Sequence, residues 1–443
     1  AGYRLTHASA TQMPRHVLVD MPISPYEWEP ARLNTPGYEF GISGTHTALL
    51  AIAQSFVQHR WSVHLAGSIH GQPLPGMTYI RAGSWSASMQ PPEFDLTVIS
   101  NVFTPKQCLW NKVSTRALAI VQENQFIRPL EYALLSRYMK QCQRRMGGSG
   151  DTKLIFFHLS EWTKEAMIAH LNGRVVQDYF HSNVVNVRAL KDNRWAMDPW
   201  VKHDTQTFRN PINLTLFRVA RQLARPRNSR SLIFPACWER GGVVAAKVFA
   251  KLKTEWGDDA RIHFSYYDTA RKGNAEMRTV LALANGQQQD ARVTHSPLSK
   301  LDLAIRMEEF GFFVYGLVSS NGVVHFDTFA SVVAESLAAG VIVLAPRLAA
   351  LPYLYDGIVQ FIDPPGGLSE KLRSTNVLSF DDSGLASEGM IDRYVEIIHK
   401  ILKNSTLEAA LRDKGRRFAR KHFGYKTVMN NFVRVLEREL IAR

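Results

Sequence analysis

At 443 residues the chain is too long for one ordinary core and suits two domains of roughly two hundred residues each. A hydrophobic share of 45% is that of a globular protein, and no apolar run reaches the roughly eighteen residues a membrane span requires. The 53 Lys and Arg outnumber the 39 Asp and Glu, for a formal charge of +14.

That charge gathers at Arg218 to Arg230 and at Arg412 to Lys421. Neither stretch interleaves exposed aromatics or carries a reading motif, so nucleic acid is not the expected partner. An anionic membrane surface, an acidic glycan or a phosphorylated substrate would each be drawn to such a field; a solvated basic face is the plain alternative. Cys108, Cys142 and Cys237 lie far apart without metal-ligand spacing, which points to a reducing, cytoplasmic setting. No signal peptide is visible, and a chain opening at Ala1 leaves a trimmed targeting segment open.

In chain order, Arg15 to Met21 between Pro14 and Pro22 reads as a first parallel strand. Gly41 and Gly44 then precede an amphipathic helix, Thr45 to Gln58, and a second strand, Trp61 to Ala66. Strand, glycine loop, helix, strand is a nucleotide-type opening, although glycines before a helix serve a tight turn equally well. Further strands are expected at Asp95 to Ser100, Ala117 to Val121 and Lys153 to Phe157, making the first half doubly wound. His158 ends an apolar strand where an open sheet places ligand contacts, and His46 begins the first helix. A hydrogen-bonded structural histidine is the plain reading of each.

The basic, proline-containing stretch 224–231 marks the expected domain boundary, with new strands at Leu232 to Phe234, Arg261 to Tyr266 and Ala291 to Thr294. The most informative stretch follows, His325 to Pro346. Asp327 and Glu335 stand just over two helical turns apart, which places both carboxylates on one side of a helix. Ala334, Leu337 and Ala338 give that helix a packing face, Gly340 ends it, and Val341 to Leu344 reads as a buried strand. Its start at Thr328, Phe329 and Ala330 offers unpaired amides and a positive dipole end, a seat for a diphosphate. The carboxylates would repel phosphate and are suited to sugar hydroxyls, so the helix fits a nucleotide sugar. An acidic N-cap and an exposed helix carboxylate are the plain alternative. Helices at Met390 to Leu402, Leu407 to His422 and Lys426 to Arg443 close the chain.

The pattern Asp327-x-Phe329, five residues, then Glu335-Ser-Leu-Ala-Ala-Gly340 and an apolar strand resembles the donor-site motif of the retaining GT-B glycosyltransferases of family 4. The flanking SPLSKLDLAIRMEEFGFFVY and AALPYLYDGIVQFIDP resemble its neighbours, so the likeness is specific over the last third. It implies an α/β GT-B fold: two Rossmann-like doubly wound domains facing a central cleft. Residues 1–223 would form the acceptor-side domain, 224–231 the linker, 232–422 the nucleotide-sugar domain, and 423–443 a helix crossing back.

The resemblance also implies roles. Arg240 with Gly241 matches the second of two cations that grip the donor diphosphate, while Pro235 stands near the first and supplies none. Glu335 would hold the ribose diol. Asp327, where the family usually has Glu, would hold the donor sugar. The loop THSPLS, with His295, would receive the base; Gly41 and Gly44 would face the cleft near the phosphates, and His158 the acceptor or donor sugar. Asn183 matches a family loop, whereas Gln122, Glu123 and Asn124 stand where many members have a histidine. The implied activity is retaining hexosyl transfer from a nucleoside diphosphate sugar to a glycan, protein or lipid, with no protein nucleophile and no metal. A GT-B epimerase or inverting transferase, and a non-catalytic nucleotide-binding scaffold, are the competing readings.

Overall fold

The computed structural model describes residues 15–21, 29–30, 44–81, 93–100, 109, 113–122, 138, 141–142, 144, 153–160, 203–266, 275–286, 288–322, 324, 327, 329–365 and 384–441. Gly41, Asn183 and Thr328 lie outside these residues, as does the side chain of His158.

Two parallel sheets organise the chain. The first holds β1 (His16–Asp20), β2 (Ser62–Gly67), β3 (Met77–Arg81), β4 (Phe94–Ser100), β5 (Thr115–Gln122), β6 (Lys153–His158) and β7 (His203–Thr207) in the order β3-β2-β1-β4-β5-β6-β7. The second holds β8 (Asn228–Phe234), β9 (Arg261–Tyr266), β10 (Val293–Pro297), β11 (Phe310–Val314), β12 (Ile342–Pro346) and β13 (Gln360–Ile362) in the order β10-β9-β8-β11-β12-β13. Both begin with the nucleotide-binding order, in which the strand sequence reverses beside the first strand. The switch points fall between β1 and β4 and between β8 and β11. Central strands such as β11 and β12 are buried along their whole length, because helices cover both faces of a parallel sheet.

Helix α1 (Gly44–Gln58) covers the first sheet, and α2 (Leu214–Leu223) follows β7. Around the second sheet lie α3 (Gly242–Trp256), α4 (Ala275–Asn285), α5 (Lys300–Glu309), α6 (Ser331–Ala339), α7 (Leu351–Tyr355), α8 (Glu388–Leu402) and α9 (Ser405–Phe423). α3 packs with α4 and α8, while α6 packs with α2, α5 and α9. Asn213 and Asn404 cap α2 and α9, each accepting a backbone N–H three residues on. The final helix, α10 (Tyr425–Ile441), lies against α1, where the Tyr425 hydroxyl donates to the Ala51 carbonyl at 2.7 Å. Where the chain passes between sheets, Ile212 and Gly424 form a parallel bridge, and the Ile212 N–H donates to the Phe423 carbonyl at 2.8 Å. Among the described residues no helix is long and apolar enough to cross a membrane.

Two sequence expectations change. Half of the expected linker 224–231 is strand, since Asn228 to Ser231 open β8. α2, assigned to the first domain, packs on α5 and α6 of the second half instead; its buried Phe217 and Ala220 need an apolar partner.

The two basic stretches converge. Buried Glu308 accepts from Arg221 at 3.0 Å, Arg227 at 3.2 Å and Arg416 at 3.0 Å. The same three arginines and Arg412 donate to the last carbonyls of α6 and its cap, Ala338, Ala339 and Gly340, at 2.7 to 3.4 Å. Cations at a helix C-terminus answer its unpaired carbonyls and dipole. Arg227 is pushed down to about 9 by burial and by neighbouring Arg412, with Glu308 opposing. Part of the basic charge is thus internal, and Arg218, Arg225, Arg230, Lys414, Arg417, Arg420 and Lys421 remain exposed.

Candidate functional site

In an open α/β sheet, ligands bind outside the carboxyl ends of the strands at the switch point. After β8 the chain makes a 3-10 turn, Trp238–Arg240, and turns into α3 through Gly241 at φ 109°. After β11 it passes Gly316 and Leu317 before reaching Asp327. These two loops touch backbone to backbone: the Leu317 N–H donates to the Arg240 carbonyl at 3.0 Å, and a Cβ on Gly241 would come within 2.4 Å of the Gly316 nitrogen. Glycine at 241 is therefore required by close packing and by its left-handed φ, before any ligand is considered.

This contact brings two of the expected site residues together. Arg240 Nη1 donates to Asp327 Oδ1 at 2.6 Å, with the side chains 31% and 17% exposed. Burial holds the Asp327 carboxyl above the ordinary aspartate value, with the Arg240 guanidinium opposing. A second pair lies farther along, where Lys300 Nζ donates to Glu335 Oε1 at 3.0 Å, with 20% and 13% exposure. Each carboxylate is thus half-buried against a cation.

The helix between them differs from expectation in its start. α6 begins at Ser331, so Asp327 precedes the helix rather than sharing a face of it with Glu335. Ala330 is the N-cap, at φ 53° and ψ 65°, and it supplies no side-chain cap to the first amides. Gly340 ends the helix at φ 78°, and Ala334, Leu337 and Ala338 are buried, as the sequence pattern requires. The Phe329 ring is not presented to a ligand: it is 2% exposed and packs against Tyr355 and, edge-on at 5.4 Å, against Phe423. Only backbone groups at Phe329 and Ala330 remain to meet a ligand.

The other expected residues stand on other elements. His295 is exposed in the middle of the edge strand β10, because the strand continues through Pro297 where a loop was expected. Gly44 is the first residue of α1, and His158 is the last residue of β6, paired with Gln122 of β5. His46 is buried at the start of α1.

Lys300 and Tyr355 stand outside the site residues that the sequence pattern marks. Ser299 caps α5 by accepting the Asp302 N–H at 3.0 Å, so a lysine in the first turn opposes the helix dipole. That mismatch was the available signal that Lys300 serves a partner elsewhere. Tyr355 was hidden in the run LPYLYD, where an apolar ring at a helix end looks like ordinary core.

No family model matches the sequence, and no curated protein matches it. Solved structures do. Sucrose-phosphate synthase from Thermosynechococcus elongatus superposes with a TM-score of 0.61 at 12% identity, covering 97% of this chain and 100% of that one. The UDP-forming α,α-trehalose-phosphate synthase from Burkholderia vietnamiensis gives 0.60 at 10% identity, covering 97% and 98%. The N-terminal domain of trehalose-6-phosphate phosphatase from Candida albicans gives 0.56 at 10% identity, covering 99% and 98%.

The chain has the GT-B fold. At these identities the likeness carries the fold alone, and the chemistry of this GT-B chain rests on its own residues.

Proposed function

We propose that the chain is a glycosyltransferase moving a hexosyl group from a nucleoside diphosphate sugar to a glycan, protein or lipid acceptor, with retention at the anomeric carbon and without a metal. The observation that carries this reading is the Arg240–Asp327 pair at the β8/β11 switch point, just ahead of the uncapped start of α6. Cation, open amides and carboxylate there match the three parts of the donor: diphosphate, its charge in flight, and sugar hydroxyls.

The Asp327 carboxylate occupies the guanidinium that a diphosphate would claim. Binding exchanges one anion for another on Arg240 and frees Asp327 to accept from a donor hydroxyl. Glu335, held by Lys300, accepts from the ribose diol. The bond from the anomeric carbon to the diphosphate then breaks, with its electron pair leaving on the phosphate, while the acceptor oxygen bonds from the same face and its proton passes to the departing phosphate oxygen. Arg240 and the α6 amides stabilise the departing charge. Exposed arginines such as Arg218 and Arg225 favour an anionic acceptor or membrane face.

A second reading, a nucleotide-binding scaffold without turnover, is favoured by Pro235, which offers no cation, and by the engagement of Arg240 with Asp327. Nucleotide release from UDP-, GDP-, ADP- and dTDP-hexoses, followed with wild type and Glu335→Ala, separates the two. Release from one donor that disappears in the variant supports transfer. Intact donors in every mixture, with folded protein, support the scaffold. The anomeric configuration of any product distinguishes retention from inversion.

A further inference from the structure

Tyr355 closes α7 with its side chain fully buried. Its hydroxyl donates to the Phe329 carbonyl at 2.7 Å and lies 3.2 Å from the Ala330 carbonyl. Those carbonyls belong to the two consecutive peptides that enter α6. In a trans peptide the C=O and N–H point in opposite directions. Drawing both carbonyls inward onto one hydroxyl therefore turns the amides of Ala330 and Ser331 outward, side by side. Such a pair of successive amides around a left-handed residue is an anion-receiving concavity. Ala330 holds φ 53° without being glycine, a conformation that persists only when neighbours enforce it.

We infer that Tyr355 is a positioning residue for the donor diphosphate: it fixes the Phe329–Ala330–Ser331 backbone so that two amides face the ligand. This rests on the nucleotide-sugar reading of the site. Burial, and after it the nearby Asp327 carboxylate, keep the phenol well above its ordinary range, so it remains a donor. Its ring is fixed by Phe329, Phe418 and Phe423 at 5.7 to 6.5 Å. Phe423 in turn presents its carbonyl to Ile212, where the chain crosses between sheets. The α6 start is therefore anchored to the crossing point.

The test is Tyr355→Phe in the full chain, which keeps the ring and removes one oxygen. Hydrogen exchange of the unliganded protein is read at residues 330–333, and calorimetry compares nucleoside diphosphate with nucleoside. The expected result is faster exchange at 330–333 and a loss of about tenfold in diphosphate affinity, with nucleoside affinity unchanged. A purely structural role would weaken both ligands alike, and that result overturns the inference. So does exchange at 330–333 identical to wild type. If wild type binds no nucleotide, the functional reading falls, while the exchange arm still decides whether Tyr355 fixes this backbone. Should Tyr355→Phe not fold, Tyr355→Phe with Ala330→Gly is used, since glycine adopts this turn freely. Wild-type exchange at 330–333 together with wild-type diphosphate affinity in that double variant overturns the inference, and faster exchange at 330–333 with weakened affinity supports it.

Discussion

On the first sheet, α10 is seated by rings: Phe432 packs against Phe157 at 4.5 Å, Phe208 at 4.6 Å and Phe56 at 6.4 Å. On the second, α6 is held at both ends by directed polar bonds, Tyr355 at its start and four arginines with Glu308 at its end. Apolar packing is strong but tolerates small rotations. Hydrogen bonds and ion pairs set direction as well as distance. A helix that braces a fold can be seated by the first means; one that aims its amides at a ligand needs the second. The switch points repeat the contrast. Asp20, at the end of β1, is buried and accepts the Leu109 N–H at 2.7 Å, whereas the loops after β8 and β11 leave Arg240 partly exposed.

The largest effects would come from removing each means of support. Phe432→Ala should cost about 3 to 5 kcal/mol in urea unfolding, and leave nucleotide affinity of the folded protein unchanged. Glu308→Ala should cost a similar amount, about 3 to 5 kcal/mol, because it strands three cations. In that variant affinity should fall too. Equal behaviour of the two variants in a binding titration would break the comparison.

Next in size, Gly241→Ala forces a Cβ into the Gly316 backbone. About 1 to 3 kcal/mol of stability should be lost, together with the register between the two loops. Arg240→Ala should then weaken nucleoside diphosphate binding roughly 10- to 100-fold, and cost about 1 to 3 kcal/mol of stability because the half-buried Asp327 carboxylate loses its cation. Asp20→Ala should cost about 1 to 3 kcal/mol of stability with affinity intact.

The smallest effect is a pH dependence away from the site. Asp290 is held well below the ordinary aspartate value, chiefly by Arg292. A depressed carboxylate contributes stability above its unfolded pKa, and that stability is lost as the pH falls. The difference in melting temperature between wild type and Asp290→Asn should be present at neutral pH and shrink below the ordinary value of 3.8.

Much of the second sheet was legible in the sequence because its strands are buried on both faces and read as apolar runs, LIF of β8 and IVLAP of β12 among them. The edge strand β7 of the first sheet was not: it reads HDTQT and carries no apolar signal. At the site, Gly340 announced the end of α6, but its start was placed too early, since nothing local marks Ala330 as left-handed. That conformation is imposed by Tyr355 from another element, a contact distant in sequence. The partners of Asp327 and Glu335 were hidden for the same reason. Arg240 and Lys300 reach them only once β8, β11 and α5 are packed, and spacing along one helix could not reveal it.

The most direct test is a thermal-shift panel of UDP, GDP, ADP and dTDP with wild type and Glu335→Ala. A nucleotide at a hundred times its Kd adds about 2.7 kcal/mol to stability. The account predicts a clear shift with one nucleotide that is lost in the variant. Absence of any shift at millimolar concentration, in well-folded wild type, would contradict it.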